Sequence, residues 1–257
     1  MESTPKLRLL CLHGYLQTGD AFRVKSGSLR KALRSRAELI YMDAPHVAPP
    51  LPKMYLFPHR PTADDDGDCC AGAAPTNPSQ EPSHAPAPEA PGRCWWFARD
   101  GSNPGLRPSQ AQETDGWPEA RAAIAEALIR HAPIHGLLGF SQGAAAAALF
   151  LCENPSAASK LDCLILASGF VPADPELSAA VHAGAAAGLK LPSLHIMGQR
   201  DAIIPSERSR LLKGLCTDAS LLEHPGGHRL PNATGADRDV LRAFVEGVRA
   251  AAEKRTQ

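Results

Sequence analysis

An excess of charge of either sign is missing from this 257-residue chain: Lys+Arg and Asp+Glu each number 27, so the formal net charge is zero. That balance offers no basic footprint for nucleic acid and no polybasic signal for an anionic membrane. No apolar run approaches the ~18 residues needed to span a bilayer. Residues 1–12 lack the basic, apolar and small-residue regions of a secretory signal. The seven cysteines are odd in number and scattered, with no spacing that would hold zinc. Cys11 and Cys163 fall in apolar runs, where buried free thiols are usual, while Cys69 and Cys70 are adjacent in a polar stretch. Nothing asks for a metal or a cofactor. A reducing cytoplasm is the expected compartment, with the nucleus open as well. The length suits one domain over 1–257 carrying an insertion.

What the chain does have is an alternation of strand and helix patterns. Lys6–Leu12 reads as a strand, followed by a helical pattern over about 20–36 and a second strand at Glu38–Met42. Past a long gap, 118–132 has helical spacing, with Ile124, Leu128 and Ile129 on one face and Glu126 and Arg130 opposite. A buried strand at 133–138 and an alanine-rich helix at Ala144–Leu151 come next. Strands are expected again at Leu161–Ala167, Ser193–Met197 and Ser220–Glu223, with helices at Ser206–Leu215 and Ala236–Glu253. Such alternation predicts a mostly parallel, doubly wound sheet of about six strands with helices on both faces.

The gap is an insertion after the second strand, spanning 47–94. Eleven of the 24 prolines fall there, with the acidic run Asp64-Asp65-Asp66, and Ala71–Ala90 has almost no large apolar residue. Such a segment cannot bury enough surface to offset its ordering entropy, so about 62–92 is expected to be disordered. Trp95-Trp96-Phe97 then restores aromatic character abruptly. The two tryptophans either pack the insertion onto the domain or wall an apolar acyl pocket, with Phe170 as a further wall; both roles are compatible.

Gly139-Phe140-Ser141-Gln142-Gly143 joins the buried strand to the alanine-rich helix. Gly-x-Ser-x-Gly in that setting is the nucleophile elbow of the α/β-hydrolase fold, whose tight turn pushes a strained serine out at the top of the sheet. In this fold the acid and then the base follow the serine in chain order. Asp201 lies just past the Ser193–Met197 strand in Gly198-Gln199-Arg200-Asp201, where a loop can aim a carboxylate inward. Asp174 is the fallback acid, although its surroundings read as a proline-rich turn. Of the two histidines near the last strand, His228 follows Gly226-Gly227 and is the candidate base, whereas His224 is expected to pack locally. His135 and His182 are assigned to packing and surface.

These residue types answer a chemical need. A serine hydroxyl is a poor nucleophile until an imidazole takes its proton, and a carboxylate orients that imidazole and stabilises its cation. The oxyanion that develops needs preorganised donors, each worth roughly 3 kcal/mol. One is expected to be the backbone N–H of Gln142. The other is that of Tyr15, in the loop after the first strand, provided strands one and three are neighbours with a crevice at their carboxyl ends. His13 and Gln17 are assigned to holding that loop.

The chain resembles the FSH family of small serine hydrolases and, within it, the ovarian cancer-associated gene 2 protein group of esterases. The resemblance rests on Leu9-Leu10-Cys11-Leu12-His13-Gly14-Tyr15, Asp43-Ala44-Pro45-His46, Trp95-Trp96-Phe97, Gly136–Ala144 around the elbow, Ser168-Gly169-Phe170, Asp201 with Ile204-Pro205-Ser206, and Gly226-Gly227-His228. It covers almost the whole chain and implies a triad on Ser141, Asp201 and His228. It also implies hydrolysis of small-molecule carboxylic esters with medium-to-long acyl or alkyl chains. The insertion from Pro58 to Arg93 is longer and richer in proline than the family's usual loop. A thioester substrate fits the same chemistry, and a hydrolase-fold binding protein without turnover is the alternative of a different class.

Overall fold

The computed structural model describes residues 6–49, 90–99, 107–187 and 190–256. The chain opens with β1 (Leu7–Leu12), α1 (Gly19–Lys25), α2 (Gly27–Leu33) and β2 (Ala37–Met42). Four two-residue strands follow: β3 (His46–Val47), β4 (Arg93–Cys94), β5 (Phe97–Ala98) and β6 (Thr114–Asp115). Then come α3 (Trp117–Arg130), β7 (Gly136–Phe140), α4 (Gln142–Glu153), α5 (Pro155–Ala158) and β8 (Cys163–Ala167). The rest is α6 (Pro175–Ala186), β9 (Ser193–Gly198), α7 (Ser206–Gly214), β10 (Ala219–His224) and α8 (Gly235–Thr256).

The six long strands form one sheet in the order β10-β9-β8-β7-β1-β2, and every neighbouring pair is parallel. The strands are apolar on both sides because both faces are covered. Alternation along each strand sends side chains to opposite layers. Leu10 and Leu12 of β1 join a core with α3, α4, α6 and α7, whereas Leu9 and Cys11 join one with α1, α2 and α8. On β7, Leu137 and Leu138 divide the same way, and each is fully buried. Burial on that scale stabilises by ~2 kcal/mol per leucine. On α8, Leu241, Val245 and Val248 recur at helical spacing and form its buried stripe.

Sheet order positions the site. After β1 the chain builds β2 on one side, then crosses back to place β7 on the other side of β1, with Leu12 opposite Gly139. The loops leaving β1 and β7 therefore diverge from adjacent strand ends, which is where an open α/β sheet has its crevice.

Several elements differ from expectation. The helical pattern of 20–36 is two helices broken at Ser26, whose hydroxyl pairs with the Tyr41 hydroxyl at 2.6 Å. Ile129 is exposed, not buried with Ile124. Five residues at 100° each carry it about 140° around from Ile124, and the buried face is Ala120, Ile124 and Ala127. The proline-rich turn at Asp174 is the start of α6: Asp174 Oδ1 accepts from the Glu176 and Leu177 N–H groups, and Pro175 occupies the first turn. Residues 50–89 of the insertion, with Cys69, Cys70 and most of the stretch expected to be disordered, lie outside the described residues. Its two ends do not: β3 and β4 pair antiparallel, and Ala48 N–H donates to Gly92 C=O at 2.8 Å.

Candidate active site

The elbow needs both of its glycines. A Cβ on Gly139 would lie 2.4 Å from the Gly143 carbonyl oxygen, and one on Gly143 would lie 2.2 Å from that of Leu12. The first contact lets the turn close on itself, and the second lets α4 start directly against the end of β1. Between them Ser141 is held at φ 53°, ψ −117°, a conformation that L-residues rarely adopt. Its N–H donates to Ala167 C=O at 2.8 Å, which anchors the turn to β8.

Strand ends and loops then bring the three candidate side chains together. His228 Nε2 lies 3.0 Å from Ser141 Oγ, and His228 Nδ1 lies 2.8 Å from Asp201 Oδ2. The ring of Phe140, also from the elbow, packs on the His228 ring with centroids 4.9 Å apart. The acid and base loops are tied to each other: Gln199 N–H donates to His224 C=O at 2.9 Å and Arg200 N–H to Gly226 C=O at 3.0 Å. Asp201 is buried and fully engaged. Its Oδ1 accepts from the N–H groups of Ile203 (2.9 Å) and Ile204 (2.8 Å), and its Oδ2 accepts from Ser168 Oγ at 2.9 Å as well as facing His228. Burial pushes this carboxyl upward, but His228, the Ile204 N–H and the Ser168 hydroxyl outweigh burial and hold it below the ordinary value. The carboxylate is thus kept ionised, and the imidazole is oriented with its Nε2 toward the serine.

Ser168 has a role that the chain pattern did not assign. The one signal available in the chain was its place in Ser168-Gly169-Phe170, just past the Leu161–Ala167 run; the structure adds a backbone φ of 48°. That place in the chain does not identify its partner, which is 33 residues away.

The loop after β1 holds the second group of candidates. Gly14 N–H donates to Gln17 Oε1 at 3.2 Å, and Gln17 N–H donates to Gly14 C=O at 3.2 Å, which closes a turn with Tyr15 and Leu16 at its corners. His13 is buried beneath it. Its Nε2 accepts from Ala44 N–H at 3.0 Å, so Nδ1 carries the proton and donates to Gly14 C=O at 2.8 Å. Burial, above all, pulls His13 down to about 4, against the opposing effects of the Gly14 carbonyl and Asp43, so the ring is neutral. The Gln142 N–H stands at the first position of α4, where no intrahelical acceptor exists, and the helix dipole favours negative charge there.

Trp95, Trp96 and Phe170 are core residues, none more than 1% exposed. Trp95 donates from its indole N–H to His13 C=O at 2.8 Å, and Trp96 stacks edge-on against Trp117 and Phe170 at 5.9 and 6.4 Å. These contacts pack the return of the insertion onto the domain, and both indoles are fully buried.

The remaining candidates lie elsewhere or serve structure. Asp174 caps α6 and accepts from Thr114 N–H and Oγ1 at 2.9 and 2.8 Å. His224 is buried and accepts from Gly226 N–H at Nδ1. His135 accepts from Arg8 N–H at 2.9 Å before β7, and His182 is exposed on α6. Among the described residues no group of His, Cys, Asp and Glu could hold a metal ion, and no helix is long and apolar enough to cross a membrane.

Comparison with known proteins agrees with this architecture. The family model described as Serine hydrolase (FSH1) matches residues 1–240. Esterase OVCA2 of Bos taurus is 36% identical over 249 residues, covering 96% of this chain and 98% of the relative. Esterase OVCA2 of Homo sapiens is 34% identical over the same shares. Among solved structures, Zea mays acyl-protein thioesterase 2 superposes with a TM-score of 0.58 at 18% identity, covering 96% of each chain, a likeness of fold. The strained serine at the sheet's switch point and these full-length matches lead to one conclusion: the chain belongs to the FSH1 serine hydrolase family.

Proposed function

We propose that this protein is a carboxylesterase that cleaves esters of medium-to-long acyl or alkyl chains through an acyl-enzyme on Ser141. The observation that carries the proposal is the continuous line Ser141 Oγ–His228 Nε2, His228 Nδ1–Asp201 Oδ2, at 3.0 and 2.8 Å. The family's esterase members support the substrate class.

In the first step Ser141 Oγ attacks the ester carbonyl carbon while His228 Nε2 takes its proton. The carbonyl oxygen becomes an oxyanion, met by the Gln142 and Tyr15 N–H groups. Collapse breaks the bond to the alkoxy oxygen, which leaves as an alcohol carrying the proton from His228. Water then attacks the acyl-serine with His228 again as base, releasing the carboxylic acid and restoring the Ser141 hydroxyl. Asp201 stays ionised throughout and stabilises the imidazolium.

Labelling with an alkyl fluorophosphonate tests the proposal. Wild type is expected to be labelled on Ser141, and Ser141→Ala to show neither labelling nor turnover of p-nitrophenyl esters. Turnover equal in the two proteins would refute it. A series of p-nitrophenyl esters of rising chain length, with one acyl thioester, then reads the preferred substrate from kcat/KM.

A further inference from the structure

Both ends of the insertion are built into the loops that carry the two oxyanion donors. On the departing side, Tyr15 donates from its hydroxyl to Pro49 C=O at 2.8 Å. On the returning side, Arg93 N–H donates to Gln17 C=O at 2.8 Å, and Leu16 N–H donates to Arg93 C=O at 3.0 Å. The returning segment, β4, thus pairs with β3 on one side and, through the antiparallel bridge Gln17–Arg93, with the Tyr15 turn on the other.

Two residues on, the same segment grips the elbow. Trp95 N–H donates to Gln142 Oε1 at 3.1 Å, and Gln142 Nε2 donates to Trp96 C=O at 2.7 Å. The main-chain N–H can only donate and the carbonyl can only accept, so the amide has one orientation that satisfies both. Gln142 is 2% exposed, and the Trp95 indole N–H reaches across to His13 C=O, two residues before Tyr15. One short stretch of chain therefore holds the residue after the nucleophile by its side chain and the β1 loop by its carbonyl.

We propose that the returning stem of the insertion, Arg93–Trp96, is a positioning element of the oxyanion hole: Trp95 and the Gln142 side chain fix the spacing of the Gln142 and Tyr15 N–H donors. The proposal rests on the hydrolase reading given above. Its physical basis is that oxyanion donors act only when preorganised, and a misplacement near 1 Å costs on the order of 100-fold in rate. Buried hydrogen bonds to the Gln142 side chain on one loop and to the His13 carbonyl on the other supply that preorganisation.

The test compares Trp95→Phe, Gln142→Met and, at position 95, the isosteric benzothienylalanine, which keeps the fused ring and removes only the N–H. Trp117→Phe is the matched control: it keeps an aromatic ring beside Trp96 and loses the indole hydrogen bond to Glu153, the last residue of α4, at 2.9 Å. Measured are kcat and KM for a p-nitrophenyl ester, the inhibition constant of an alkyl boronic acid, and the unfolding midpoint. Expected is a fall in kcat of about tenfold or more at positions 95 and 142, with KM within about threefold. The boronate constant should rise by the same factor as kcat falls, and Trp117→Phe should keep the wild-type kcat even where its midpoint drops. Packing alone would move only the midpoints. The proposal is overturned if benzothienylalanine at 95 leaves kcat and the boronate constant at wild-type values while Ser141 is still labelled. If wild type itself is not labelled at Ser141, the hydrolase reading fails and takes this inference with it.

Discussion

Replacing Asp201 by asparagine preserves shape but reverses the hydrogen-bonding sense of one atom. Asp201 Oδ1 is claimed by two groups that can only donate, the N–H groups of Ile203 and Ile204. In Asp201→Asn the amide oxygen must take that position, so the NH2 group takes the place of Oδ2. There it faces His228 Nδ1 and Ser168 Oγ, which both donate to the carboxylate and would now meet a donor instead of an acceptor. The Ser168 hydroxyl can rotate and accept. The imidazole can satisfy the amide only by giving up its Nδ1 proton, which puts the proton on Nε2, directed at Ser141 Oγ.

A histidine protonated at Nε2 cannot take the serine's proton. A wrong tautomer of this kind lowers kcat by about 10⁴-fold in serine hydrolase chemistry, or roughly 5 kcal/mol of barrier. The fold should suffer little, about 1 kcal/mol, because both loop N–H groups keep an acceptor. Asp201→Ala orphans those two N–H groups and should cost about 2–3 kcal/mol. Steady-state hydrolysis of a p-nitrophenyl ester and urea unfolding of both variants measure the two effects. An Asp201→Asn protein within tenfold of the wild-type kcat would refute the argument. So would Asp174→Asn losing activity in its place, since Asp174 caps α6 and holds Thr114, both structural roles.

Ser168→Ala should lower kcat on the order of tenfold with KM nearly unchanged, by removing one donor from Asp201 Oδ2. Ser168→Gly, which relaxes the φ of 48°, should be more stable than Ser168→Ala yet equally slow; recovery of activity in the glycine variant would dismiss the hydroxyl. Gly143→Ala should cost ~3 kcal/mol or more, or fail to fold, because its Cβ meets the Leu12 backbone, whereas Gly214→Ala, with open space, should be neutral or slightly stabilising in the same unfolding assay. Acid should destabilise the protein through its buried histidines. Burial brings His13 and His195 from 6.5 to about 4, so below pH 6.5 the unfolded chain binds protons that the folded one refuses. Stability is complete above 6.5 and falls toward pH 4 by about 3 kcal/mol per histidine, and unfolding free energies flat across that window would count against it.

The strand and helix alternation was legible in the chain because its signals are local. Apolar runs mark strands covered on both faces, a 3.6-residue period marks helices, and Gly139 and Gly143 mark a turn that no other residue fits. The same local chemistry singled out Ser141, Asp201 and His228, each just past a strand, and the fold brings their side chains into hydrogen-bond reach. Composition and period failed where the deciding neighbour is distant. Ile129 and Ile124 look alike in sequence, and only the direction of α3 against the sheet turns one outward. Trp95 and Trp96 announced an apolar environment without saying whether a substrate or a core would fill it; the contacts with His13, Gln142 and Trp117 make it core. Ser168 meets Asp201 across 33 residues, and Gln142 meets Trp95 across 47. Such pairs depend on which strands the sheet sets side by side, an outcome of packing the whole chain that no short stretch of it encodes.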